Sequence, residues 1–127
     1  MNADEIGLTL VKGTTFRQRF RFVTRDPDDD TVLLPVDLTG YTFRFQIRAT
    51  PDAPTVILSL TSDPPDGITV ETAAGAITLS ATDETTSALV GRRGVWAVER
   101  EIGGEVDRPL SGCATLIPEI VRDEGTS

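Results

Sequence analysis

Two segments of this chain alternate without a break between apolar and polar residues. Phe16-Arg17-Gln18-Arg19-Phe20-Arg21-Phe22 is the first and Tyr41-Thr42-Phe43-Arg44-Phe45-Gln46-Ile47-Arg48 is the second. A period of two is what a half-buried β-strand demands, because successive side chains leave the backbone on opposite sides. Phe16, Phe20 and Phe22 then face a core, as do Tyr41, Phe43, Phe45 and Ile47. Arg17, Arg19, Arg21, Arg44 and Arg48 stand on the other face. The formal net charge of the whole chain is −8. Five cations gathered this way predict a basic sheet face on an acidic body, which is a surface suited to meeting a partner.

The remainder of the chain repeats the theme of short strands cut by turns. Asp26-Pro27-Asp28-Asp29-Asp30, Thr50-Pro51-Asp52-Ala53-Pro54 and Ser62-Asp63-Pro64-Pro65-Asp66-Gly67 read as loops, since proline and aspartate favour turns over ladders. Thr31 to Leu34 is a short apolar piece. Ile68-Thr69-Val70-Glu71 and Ala76-Ile77-Thr78-Leu79-Ser80 flank a tight connection and form a hairpin. Gly103-Gly104 suits a two-residue hairpin turn, because both central positions tolerate positive φ. Ser111-Gly112 reads as a bend. Only Asp83-Glu84-Thr85-Thr86-Ser87-Ala88-Leu89 breaks the pattern; with Thr82 or Asp83 as N-cap it predicts one short helix near residues 83–90. About eight strands with turns every 8–12 residues is the spacing of an all-β sandwich and not of βαβ units. Phe20, Phe22, Phe43, Phe45, Ile47, Leu79 and Trp96 are the expected core. The chain divides into an N-terminal arm (1–11), the sandwich (12–121) and a flexible tail (122–127). Leu8, Leu10 and Val11 are interface candidates, as an exposed arm that adds to a neighbour's sheet edge.

Composition narrows the function. A chain of 127 residues is one domain, long enough to fold without a disulfide or metal. The opening residues lack the regions of a signal peptide, and no apolar run reaches the roughly 20 residues of a membrane span, so synthesis in a cytoplasm is expected, with no membrane partner. A sequence pI near 4.4 argues against general nucleic-acid binding. Of the twelve cations, Lys12 is the only lysine. That bias suits bidentate pairing with carboxylates at an interface, and equally a GC-rich coding genome. Histidine is absent, which removes histidine-based triads and the commonest metal ligand. One cysteine cannot build a structural zinc site, and Cys113 reads as a small buried hydrophobe within a strand. No phosphate-loop or dinucleotide fingerprint occurs. Glu99 and Glu101 fall on one strand face at roughly 7 Å, close to the separation of glycosidase carboxylates, but on an exposed hairpin face opposite arginines. The aspartates at 26–30 lack the glycine and distal glutamate of an EF-hand loop. Trp96 and Tyr41 are either core anchors or platforms for a sugar ring. No catalytic residue, metal or cofactor is expected.

The order of landmarks resembles a known family. Lys12-Gly13-Thr14-Thr15-Phe16 opens the first arginine strand and Val36-Asp37-Leu38-Thr39-Gly40-Tyr41 precedes the second. Asp66-Gly67-Ile68-Thr69-Val70, Gly75-Ala76-Ile77-Thr78-Leu79, the helical turn at Asp83 to Leu89, Gly94-Val95-Trp96 and the Gly-Gly hairpin follow. Over residues 7–121 this resembles small immunoglobulin-like proteins of tailed bacteriophages and prophages, and is similar to the N-terminal domain of phage baseplate upper proteins. The resemblance implies an immunoglobulin-like antiparallel β-sandwich and a non-enzymatic virion component at the capsid, neck, tail or baseplate. It implies attachment or decoration through other virion proteins, in a symmetric oligomer. Two alternatives stand beside it: a carbohydrate-binding module for host-surface adhesion, and a glycan-cleaving enzyme using paired carboxylates.

Overall fold

The computed structural model describes residues 6–119. Within them the chain is mostly strand with one short helix. In chain order the strands are β1 (Leu8–Val11), β2 (Phe16–Arg21), β3 (Val23–Asp26), β4 (Asp29–Pro35), β5 (Thr42–Arg48), β6 (Val56–Ser62), β7 (Pro65–Asp66), β8 (Ile68–Glu71), β9 (Ala76–Ala81), β10 (Arg93–Ile102) and β11 (Glu105–Ile117). The helix α1 (Asp83–Ser87) lies between β9 and β10.

A six-stranded sheet, β1-β11-β10-β5-β6-β7, faces a three-stranded sheet, β2-β9-β8, while β3 and β4 form a hairpin of their own. Aromatic rings hold the two sheets together. Phe20 of β2 stacks on Trp96 of β10 with centroids 5.8 Å apart, and Phe22 stacks on Phe43 of β5 at 6.0 Å. Phe43, Phe45, Ile47, Leu79 and Trp96 are buried as the alternation requires. Phe20 of the edge strand β2 and Phe22 just after it are only half-buried, packed against the core from its margin. Each of these large side chains contributes about 1.5–3 kcal/mol when fully buried.

Local chemistry explains the connections. Gly103 and Gly104 take φ of 58° and 84°, so β10 and β11 pair tightly through a two-residue turn. Thr82 caps α1, its hydroxyl accepting the Thr85 N–H at 3.2 Å. The helix ends at Ser87, short of the expected 83–90, and a single buried hydroxyl anchors it. Thr86 Oγ1 accepts the Gly13 N–H at 3.1 Å and donates to the Thr14 carbonyl at 2.7 Å, tying the helix to the turn before β2.

Several expectations change. The strands number eleven among the described residues, because the acidic loop at 26–30 and the apolar piece after it form the hairpin β3–β4, and Pro65–Asp66 within the expected loop at 62–67 pairs with β6 as β7. Ser111-Gly112 does not interrupt the strand; β11 continues through it. Leu8, Leu10 and Val11 are not an exposed arm. β1 pairs in parallel with β11, the one parallel pair of named strands among the described residues, and Leu8 and Leu10 are buried in this chain's own core. Only Val11 of the three is exposed. The physical reason is the apolar alternation of β1 itself, which gains more from the open edge of β11 than from solvent. Residues 1–5 of that arm and the tail at 122–127 lie outside the described residues.

Candidate protein-interaction surfaces

The five arginines of the two alternating strands do not share a face. Arg17, Arg19 and Arg21 project from the outer side of the three-stranded sheet. Arg44 and Arg48 project from the outer side of the six-stranded sheet, on the opposite flank of the sandwich. The expected single basic face is therefore two smaller ones. Alternation fixes which way a side chain points but not which sheet its strand joins, and β2 and β5 were recruited to opposite sheets.

On the six-stranded side the sheet curves into an open groove of about 580 Å3. Val95, Ala97, Pro51 and Cys113 give it an apolar floor, and Arg44, Arg48 and Arg108 give it a basic rim. Cross-strand register builds this pattern, since Val95 lies opposite both Arg48 and Cys113, Ala97 opposite Gln46 and Ser111, and Glu99 opposite Arg44. Glu99 is the acidic member. It meets Arg44 at 2.9 Å and Arg108 at 3.8 Å, so three rim arginines against one carboxylate leave a local excess of two positive charges. Arg48 is held by its own surroundings, its guanidinium donating to the Ala53 carbonyl and to Gln46 Oε1. Exposed pairs of this kind add little stability, about 0–1 kcal/mol each, so the arrangement is better understood as shaping a surface than as holding the fold.

Cys113 is exposed on the groove floor, not buried as its strand context suggested. The signal was present in the sequence: Ala114 and Leu116 are the apolar alternation of β11, which turns Cys113, Thr115 and Ile117 outward.

On the three-stranded side, Arg19 meets Glu71 of β8 at 2.7 Å, reaching across β9. Arg17 and Arg21 make no ion pair with any described residue. Three cations against one carboxylate again leave an excess of two.

Trp96 is buried at 2% exposure, and its indole N–H donates to the Ile6 carbonyl at 2.8 Å. It is a core anchor, out of reach of a sugar. Tyr41 is half-buried, and the Arg100 guanidinium lies 5.4 Å from its ring centroid and 5.5 Å from that of Phe22. Sequence reasoning gave Arg100 no role, yet it closes one end of the core. It also grips Asp107 by two parallel bonds of 2.9 Å, and this pairing holds the Asp107 carboxyl below the usual carboxylate range.

Glu99 and Glu101 both border a second hollow of about 200 Å3, together with Asp63 and Arg100. Glu99 is committed to its two arginines, and Glu101 is exposed and makes no ion pair with a described residue. The aspartates of the β3–β4 turn serve their own backbone: Asp26 accepts the Asp28 N–H, and Asp29 accepts both the N–H and hydroxyl of Thr31. The Thr31 bonds lower the Asp29 pKa. Among the described residues, no group of three histidine, cysteine or carboxylate side chains is placed to hold a metal ion.

No protein-family model and no curated protein matches this chain. Its surfaces therefore carry the functional argument. β4 adds one further feature: Leu33 is 56% exposed and Val32 40%, on a hairpin whose two strands pair only with each other.

Proposed function

We propose that this chain is a non-enzymatic structural component of a tailed-phage virion, at the capsid, neck, tail or baseplate, that works through protein–protein contacts at a symmetric position in the particle. The observation that carries the proposal is the placement of arginine on both outer faces of an acidic sandwich. A decoration or joining protein must touch different neighbours on different flanks, and two separated cationic surfaces suit that task better than one. The groove on the six-stranded side combines an apolar floor with a charged rim, the general anatomy of a protein contact. The order of strand starts and turns, which resembles small immunoglobulin-like phage proteins, supplies the particle.

The burial of Trp96 and the packing of the Arg100 guanidinium against Tyr41 weigh against the carbohydrate-binding alternative. Of the carboxylate pairs open to the glycan-cleaving alternative, Glu99 with Glu101 or Asp83 with Glu84, the first is weakened because Glu99 is engaged by Arg44 and Arg108.

Particles purified from a strain that carries the gene provide the test. Mass spectrometry should find the chain at a fixed ratio to the major particle proteins, and a cryo-EM map should hold the sandwich at a symmetric site. A chain confined to the fraction without particles would refute the proposal.

A further inference from the structure

The open edge of the three-stranded sheet has a chemistry that neither outer face shares. β2 is bonded to β9 on one side and, among the described residues, to no strand on the other. The direction of its backbone groups can be followed residue by residue. Phe22 N–H donates to the Gly75 carbonyl at 2.7 Å, while Arg21 stands opposite Ala76. In an antiparallel ladder the N–H and C=O of successive residues point to alternate sides. Gln18 and Phe20 thus turn their backbone groups toward β9, and Arg17, Arg19 and Arg21 turn theirs to the open edge. The one bond that a described residue makes there is long: the Gln18 side-chain amide donates to the Arg19 carbonyl at 3.4 Å.

The same three residues repeat every second position, so their side chains leave the strand about 7 Å apart along the outer face. One strand edge therefore offers a row of unpaired amides and carbonyls and, beside it, a row of cations. Arg19 is occupied by Glu71, whereas Arg17 and Arg21 pair with no described residue.

We propose that this edge accepts an added β-strand from an acidic segment of a partner protein, with carboxylates at alternate residues. The inference rests on the protein-contact reading above and gives the partner a chemistry. Backbone bonds would supply the register, and carboxylates opposite Arg17 and Arg21 the selectivity. A second copy of the chain is excluded from the role by the same charges. Pairing β2 with its own copy sets arginine against arginine, and like charges facing across strands are destabilising. Arginine here guards the edge against self-association and selects an acidic strand in its place.

The test uses the full chain and a capped synthetic peptide of alternating glutamate and valine. Amide hydrogen exchange, read by NMR, should slow at least tenfold at Arg17, Arg19 and Arg21 when the peptide is present, with little change along β5. Binding measured by fluorescence anisotropy should weaken about tenfold as salt rises from 0.05 to 0.5 M, because exposed charge pairs are screened within a few ångströms at the higher value. The double variant Arg17→Glu/Arg21→Glu should lose this peptide and take up one alternating lysine with valine. A peptide N-methylated at its edge-facing amides keeps its charge but cannot complete the ladder, and should not bind. Equal binding of the methylated peptide would overturn the inference, since the arginines would then merely attract anions. Absence of exchange protection in the unaltered chain would overturn it as well. A chain found in particles but blind to the peptide sinks this inference alone. A chain that takes the peptide but is missing from particles sinks the virion proposal alone.

Discussion

Gly112 is the position where one methyl group should do the most damage. It lies in β11 opposite Trp96, and residue 6 crosses directly over it. A Cβ built at Gly112 would overlap the Ile6 carbonyl oxygen and lie 2.7 Å from the Ile6 amide nitrogen and carbonyl carbon. Backbone cannot swing aside as a flexible side chain can, so Ile6 must lift. Lifting it breaks two bonds of 2.8 Å, from Trp96 Nε1 to the Ile6 carbonyl and from the Ile6 N–H to the Ser111 carbonyl. A buried donor left without a partner costs about 1–3 kcal/mol, and an ordinary backbone bond about 1 kcal/mol. Gly112→Ala should therefore destabilise the domain by about 2–4 kcal/mol, a large part of the roughly 5–15 kcal/mol that holds such a domain together. Trp96 is the only tryptophan, so its fluorescence during urea unfolding reports the change directly. In a chain lacking residues 1–7 the obstruction is gone, and the same alanine should cost less than about 0.5 kcal/mol, since alanine is no worse than glycine in a strand. An equal cost in both backgrounds, or no cost in the full chain, would refute the reasoning.

Three further outcomes are expected. Thr86→Val keeps the shape of a fully buried residue but strands the Gly13 N–H and the Thr14 carbonyl, so it should cost about 2 kcal/mol in urea unfolding, while Thr86→Ser should cost much less. Asp107→Asn should cost about 0.5–1 kcal/mol at pH 7, where an exposed carboxylate pairs with Arg100. Because the folded pKa is depressed, that contribution is present above the unfolded value near 4 and is lost as pH falls through the folded one; variant and parent should converge in acid unfolding once the pH lies below the lowered value. Cys113 should react with a thiol reagent such as DTNB in the native state within minutes, and reaction only under denaturing conditions would place the thiol in the core instead of the groove.

How far the sequence could be read depends on the range of the interaction. Alternation is a property of neighbouring residues, so β2 and β5 were legible almost to their ends, and so was the glycine turn between β10 and β11. The helix cap at Thr82 was legible for the same reason. What could not be read were choices made between distant segments. β1 lies about a hundred residues from β11, and nothing local to Leu8-Thr9-Leu10-Val11 says that it will complete this chain's sheet instead of a neighbour's. The orientation of Cys113 follows from Ala114 and Leu116 once β11 is known to continue through Gly112. A glycine usually signals a bend, but here it leaves room for residue 6. The hairpin β3–β4 fails for a different reason. Its apolar residues stay exposed, so periodicity had no buried face to report.

The division of the arginines bears most directly on function. Had all five shared one face, their mutual repulsion would have required a single strongly acidic partner, and stability would have suffered in its absence. Divided between two sheets, each group is partly neutralised from within, Arg44 and Arg108 by Glu99 and Arg19 by Glu71. Each group keeps an excess of only two charges. On the proposed role, that is enough to choose an acidic neighbour without destabilising the chain before the neighbour arrives. The two surfaces also differ in kind: one is a curved face with an apolar floor, the other a strand edge with open backbone groups. A protein that must join two unlike neighbours needs such a difference, because identical surfaces would let either partner occupy both sites. Replacing Arg44 should therefore weaken one attachment and leave the β2 edge competent, whereas replacing Arg17 and Arg21 should do the reverse.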